Sequence, residues 1–186
     1  MKNIPILFAL ALSLGAIALL SGSTDAACAG DPTMSTADAC NKTSSWQGQR
    51  ELELCRKTLR GAPEGLTASA YGVIAVRATL KSCEATEAAG KKLAQDPKNS
   101  EDAWAMYQIC VDMYGFARTD VAAMGDALKA CSLANFRRFY EGAIASVDDC
   151  ARKLRLIDGD VLHRMVSADR DRIMLAFILG AHSFPK

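Results

Sequence analysis

The side chains in this sequence with the most chemistry in them are seven cysteines, Cys28, Cys40, Cys55, Cys83, Cys110, Cys131 and Cys150. Cysteine can ligate a metal, act as a nucleophile or form a disulfide. No Cys-x-x-Cys pair occurs and the histidines are limited to His163 and His182, so zinc ribbons and thioredoxin-like redox sites have no support. That many cysteines suits a chain that leaves through an oxidising compartment, where disulfides persist. Because the count is odd, at least one thiol is free, pairs between molecules, or departs with a cleaved leader.

Other groupings carry less. Asp160, His163 and Ser167 could be drawn as a hydrolytic triad, but they have the spacings of one helix surface and no nucleophile elbow. Asp148 and Asp149 are adjacent, so on a helix they point in different directions and cannot share a proton. There is no glycine-rich phosphate loop. Nothing here predicts an enzyme, a cofactor or a metal. Asn41-Lys42-Thr43 is an acceptor sequon for an N-glycan, usable on a secreted surface loop.

The elements that must position these residues follow from their periodicity. Between Cys40 and Gly65 the chain is polar and reads as irregular, interrupted by Gly48, Gly61, Pro63 and Gly65, with a short helix over 51–60. Four long helices come next. The first spans 66–95 on the stripe Val73, Val76, Leu80, Cys83 and stops at Asp96-Pro97, where proline forbids continuation. The second starts at Asn99-Ser100, with Glu101 and Asp102 favourable at the positive end of its dipole. Its stripe, Ala103, Tyr107, Cys110, Tyr114, Ala117, Val121, Met124, Leu128, alternates steps of four and three, the signature of one buried helix face. Tyr107 and Tyr114 are expected in the core with their hydroxyls at its edge. The third helix repeats the step with Phe136, Tyr140, Ala143, Val147, Cys150 and Leu154 and ends in Arg152, Lys153 and Arg155, cations that suit a helix C-terminus. After a turn at Asp158-Gly159-Asp160 the fourth carries Leu162, Val166, Ile173 and Phe177, its stripe broken by Asp169. No segment alternates with period two long enough for a strand. Short connections between long amphipathic helices favour antiparallel neighbours. The predicted fold is all-α, an up-down-up-down four-helix bundle over 66–184 preceded by an N-terminal extension over 27–65.

At the amino end, Met1-Lys2-Asn3 is weakly basic, Ile4 to Leu20 runs without charge, and small or polar residues follow to Ala27. Those are the parts of a secretory signal peptide, 1–26, with cleavage after Ser23 or Ala26. The apolar run barely crosses about 30 Å of hydrocarbon and no basic cluster follows it, which disfavours an anchor. Removal leaves about 160 residues, one domain's worth of chain. Lys plus Arg number 22 against 21 Asp plus Glu, so no global field recruits nucleic acid or an anionic membrane.

Spacing alone does not fix disulfide connectivity. A bond between Cys110 and Cys150 would staple the second helix to the third, worth roughly 4 kcal/mol from loop entropy, and one between Cys40 and Cys55 would close the extension into a hairpin, worth roughly 3 kcal/mol.

Four of these cysteines, with the helices between them, resemble the plant invertase and pectin methylesterase inhibitors. The resemblance rests on Ala39-Cys40-Asn41-Lys42-Thr43 with Glu53-Leu54-Cys55, on Ile109-Cys110-Val111-Asp112-Met113-Tyr114, and on Gly142-Ala143-Ile144 ahead of Asp149-Cys150. It spans about 39–184, essentially the whole mature chain. It implies an N-terminal helical hairpin closed by Cys40–Cys55, a bundle stapled by Cys110–Cys150, and no catalysis. It also implies a secreted protein of the plant cell wall that acts as a monomer and occludes the active-site cleft of a pectin methylesterase or an acid invertase. Cys28, Cys83 and Cys131 are extra to that pattern. Cys83 lies on an apolar stripe, where a free thiol behaves as a small hydrophobe, and Cys131 could pair with Cys28.

In the resembled family the inhibitory face comes from bundle helices and the turn entering the third. Here that stretch reads Leu133-Ala134-Asn135-Phe136-Arg137-Arg138, and Asn135, Phe136, Arg137 and Arg138 are the candidate target contacts. Invertase-directed relatives carry Pro-Lys-Phe near this turn; only the Phe has a counterpart here. Arg137 and Arg138 could complement carboxylates in an esterase cleft, or simply be solvated beside the stripe, where Phe136 itself falls. A second class of function is a secreted helical protein that binds a small apolar ligand in its bundle or serves a structural or storage role.

Overall fold

The computed structural model describes residues 28–157 and 160–184, apart from the side chains of 44–47 and 160. The expected signal peptide lies outside the described residues, as do Asp158 and Gly159 of the expected turn. Among the described residues six helices carry the fold: α1 Thr36–Gln47, α2 Gln49–Thr58, α3 Ala68–Ala94, α4 Glu101–Lys129, α5 Leu133–Leu154 and α6 Asp160–Ala181. No described helix is long and apolar enough to cross a membrane.

The region after Cys40 is more ordered than its composition suggests. Composition alone reads as an irregular segment with one short helix, but α1 and α2 form the helical hairpin that the family resemblance implies, turning at Gly48, φ 92°. The Cys40–Cys55 disulfide joins the two helices. Two short strands were also unexpected. β1 Thr33–Met34 pairs antiparallel with β2 Leu66–Thr67, an element too short to show any alternation.

The long helices are bounded by local chemistry. Thr67 caps α3 by accepting from the Ala70 amide at 3.3 Å, and Ser100 caps α4 by accepting from the Ala103 amide at 3.2 Å. Asn99 serves the preceding end, donating its side-chain amide to the Leu93 carbonyl at 2.7 Å. The α4 terminus closes with a Schellman pattern: the Ser132 amide reaches the Ala127 carbonyl and the Cys131 amide reaches that of Leu128. The left-handed position of that motif usually holds glycine; here it holds Cys131, φ 52°.

Four helices close a ring in which α3 meets α4 and α6, and α5 meets α4 and α6. Every neighbouring pair is antiparallel. Arg118 of α4 reaches Glu87 of α3 at 2.5 Å, while Gly125 lies further along α4 against Val76, earlier on α3. Cys110 joins Cys150, whereas Asp120 lies against Gly142. Arg170 of α6 pairs with Asp148 of α5, and Phe177 stacks on Phe136. Between α3 and α6 the backbones nearly touch, since a Cβ on Gly72 would lie 2.8 Å from the Cα of Gly180. This is the up-down-up-down order that short connections favour.

Large side chains fill the ring: Tyr71, Tyr114, Phe136, Met124 and Leu128 are all fully buried. A carboxylate sits among them. Asp169, the residue that breaks the α6 stripe, is 0% exposed. It accepts from Ser82 and Thr86 of α3 and from the Tyr114 hydroxyl of α4 at 3.0 Å, with Arg172 at 3.6 Å. A buried carboxylate must be supplied with donors in this way. The Tyr114 hydroxyl is therefore drawn into the core, not to its edge as expected. Burial, then the Asp169 charge, pushes its pKa well above that of an ordinary phenol.

Candidate functional site

The α4–α5 seam and the three-residue turn between those helices hold the candidate contact residues. Asn135, Arg137 and Arg138 are exposed on the first turns of α5. Phe136 is not available to a partner, because it is fully buried, with ring centroids 5.3 Å from Phe177 and 5.9 Å from Phe184. Its role is to fix the start of α5 from beneath, the physical consequence of its place on the buried stripe.

The exposed neighbours form a continuous strip. Asp120 of α4 lies directly on the backbone of α5 at Gly142, where a Cβ would stand 3.0 Å from its Cγ. That contact exists only because residue 142 has no side chain. Burial raises the Asp120 pKa above the ordinary carboxylate value, and the charge of Arg138 partly opposes the rise. The Arg138 guanidinium stands 4.6 Å from the centroid of the Phe139 ring. One turn before Asp120 on the same helix, Phe116 is 61% exposed, an apolar ring between polar neighbours. The strip thus offers an aromatic ring and an arginine, residue types enriched at protein–protein contacts, beside a half-buried carboxyl. Sequence reasoning missed Phe116 and Asp120. Phe116 follows the buried Tyr114 and precedes the buried Ala117, and an aromatic off the stripe was the signal available.

Disulfides frame this strip. Cys110–Cys150 ties α4 to α5 below it, and Cys28–Cys131 ties the N-terminal segment to the turn above it. Cys83 is the free thiol, buried, with its pKa pushed up to about 12 by that burial.

The remaining groups do other work. Asp148 pairs with Arg170 of α6 and Asp149 with Arg152 of α5, so the adjacent carboxylates diverge. His163 is half-buried and Ser167 exposed on α6, and the Asp160 side chain is outside the described set. Among the described residues no three His, Cys, Asp or Glu converge on a metal position. Asn41 is exposed on α1, a helix and not the loop expected, while Thr43 of the same sequon is buried and donates to the Cys40 carbonyl at 2.7 Å. The crevice bordered by Thr86, Gly90, Cys110, Tyr114 and Leu162 is too narrow to admit a water molecule.

The sequence pattern of the plant invertase/pectin methylesterase inhibitor family matches residues 35–176. The chain belongs to that family. Members are inhibitors and not enzymes. No curated protein matches this family member significantly by sequence. Among solved structures, a pectin methylesterase inhibitor from Arabidopsis thaliana superposes with a TM-score of 0.61 at 14% identity, over 81% of this chain and 97% of that one. A mutant form of a pectin methylesterase inhibitor from Arabidopsis gives a TM-score of 0.65 at 13% identity, over 78% of this chain and 95% of that one. At such identities the likeness is one of fold: the inhibitor family's helical architecture is retained while most side chains differ.

Proposed function

We propose that this inhibitor-family chain blocks a plant pectin methylesterase by laying the α4–α5 strip over the enzyme's active-site cleft, with acid invertase as the second candidate target. The observation that carries the reading is the strip itself, Phe116, Asp120 and Arg138 on two helices held together by the Cys110–Cys150 bond. Inhibition by occlusion needs no reactive group. It needs a surface whose conformation is fixed before contact, because ordering a loose surface would consume part of the binding energy. Asn135 and Arg137, exposed beside Arg138 on the first turns of α5, add side chains suited to a carboxylate-lined cleft. Pectin methylesterase comes first because the solved inhibitors of like fold are named for that enzyme and because only Phe136 answers to the Pro-Lys-Phe of invertase-directed relatives.

Secretion to the cell wall, cleavage after Ser23 or Ala26, action as a monomer and glycosylation at Asn41 belong to the same proposal. Three disulfides support an oxidising compartment. The deciding experiment assays the oxidised mature protein against a plant pectin methylesterase and an acid invertase side by side. Stoichiometric loss of esterase activity is the expected result. Loss of invertase activity alone would reassign the target, and no effect on either would return attention to the ligand-binding or storage alternative.

A further inference from the structure

Five of the six bonded cysteines are sealed in the core: Cys28 is 6% exposed, Cys40 and Cys110 1%, Cys55 and Cys150 0%. Cys131 alone is exposed. It is also the one non-glycine among the described residues with a positive φ, 52°, a conformation that an L side chain adopts reluctantly. Thiol–disulfide exchange requires that a thiolate reach one of the two sulfurs, and a residue held in an unfavoured backbone conformation gains freedom when its tether is cut.

We propose that Cys131 is a thiol-exchange site, open to small-molecule thiols, whose use unfastens the N-terminal segment from the α4–α5 turn. The incoming thiolate attacks the Cys131 sulfur and forms a mixed disulfide there. Cys28 leaves as a thiolate and takes up a proton. A second thiol attacks the mixed disulfide, so that two small thiols become one disulfide and the protein bond becomes two thiols. The Cys83 thiol does not intervene, since it is buried and its raised pKa keeps it protonated.

What the exchange releases is defined by the surrounding contacts. Cys28 leads into Asp31, which accepts from the Ser69 amide at the start of α3, and then into β1, paired with β2. Those contacts remain when the bond opens. The link to the turn that leads into Asn135 and Arg138 on α5 does not. Opening it therefore loosens the edge of the strip assigned above to target contact, a consequence that rests on the inhibitor reading.

The test treats the oxidised mature protein with graded reduced glutathione, traps thiols by alkylation and maps them by mass spectrometry. Cys28 and Cys131 should become labelled at glutathione concentrations at least tenfold below those that label Cys40, Cys55, Cys110 or Cys150, with the mixed disulfide on Cys131. Simultaneous opening of all three bonds, prior opening of another bond, or a mixed disulfide on Cys28 would overturn the proposal. A second arm follows esterase inhibition by the wild type and by C28S/C131G, in which glycine suits the backbone of residue 131. The variant should inhibit severalfold more weakly than the untreated wild type and ignore glutathione. If the wild type inhibits and glutathione opens the bond without weakening inhibition, the functional consequence is lost. If the wild type never inhibits, the inhibitor reading fails while the labelling pattern still decides the exchange site.

Discussion

The Tyr114 hydroxyl donates to the Asp169 carboxylate at 3.0 Å, joining α4 to α6 across the diagonal of the helix ring. Neighbouring helices are held by extensive packing, but diagonal partners meet only at the centre. Removing the acceptor should therefore be severe. Asp169→Ala takes the acceptor from the Ser82 and Tyr114 hydroxyls and the carboxylate partner from Arg172, leaving Thr86 only the Ser82 carbonyl, and should cost about 3–5 kcal/mol, the range for breaking a buried charged pair. Tyr114→Phe removes one hydrogen bond to a charged group and should cost about 1.5–3 kcal/mol. Denaturant midpoints of the two variants check both the order and the size.

Breaking the Cys110–Cys150 bond should affect stability and function together. Cys110→Ala forfeits about 4 kcal/mol of loop-closure stabilisation. The melting temperature should then fall by about 8–16 °C at ~2–4 °C per kcal/mol for a domain of this size. Stable inhibition should vanish as α4 and α5 loosen. Full inhibitory activity with unaltered melting would contradict the stapling role.

Phe116 offers a cleaner separation. At 61% exposure its side chain contributes little to folding, so Phe116→Ala should leave the melting temperature unchanged. A buried aromatic anchor at an interface is worth about 2 kcal/mol or more, so inhibition should weaken by roughly 30-fold. Titration of esterase activity against the variant decides this.

The strip's response to acid follows from Asp120. Its pKa is raised by burial, so it takes up a proton more readily than a free carboxyl, and covering the strip with an enzyme would remove more water and strengthen that tendency. Inhibition should tighten as pH falls from 7 towards the raised Asp120 value, and Asp120→Asn should flatten the profile. A wild-type profile that is level from pH 4 to 7 would refute this.

The bundle was legible because its stripes are long and regular. Tyr107 through Leu128 on α4 and Phe136 through Leu154 on α5 repeat the buried spacing over many turns, and the Asn99-Ser100 cap marks where α4 begins. The hairpin was less legible because the disulfide and its contacts with α3 and α6 stabilise α1 and α2, where the sequence alone shows glycines and polar residues. The candidate site was read in outline only. Asn135, Arg137 and Arg138 could be placed from the chain, but Asp120 acquires its character from Gly142 on another helix, a relation that no local pattern carries. Asp169 looked like an interruption because its donors arrive from α3 and α4.

Gly72 lets α3 lie directly on the backbone of α6 at Gly180, and that contact imposes an order on biosynthesis. At ~5–20 residues per second, about 5–20 s pass between synthesis of the first glycine and the second. Throughout that interval the apolar stripe of α3 has lost half of its destined cover. A newborn chain must hold α3 partly open until α6 emerges, which makes synthesis of α6 the step that seals the bundle.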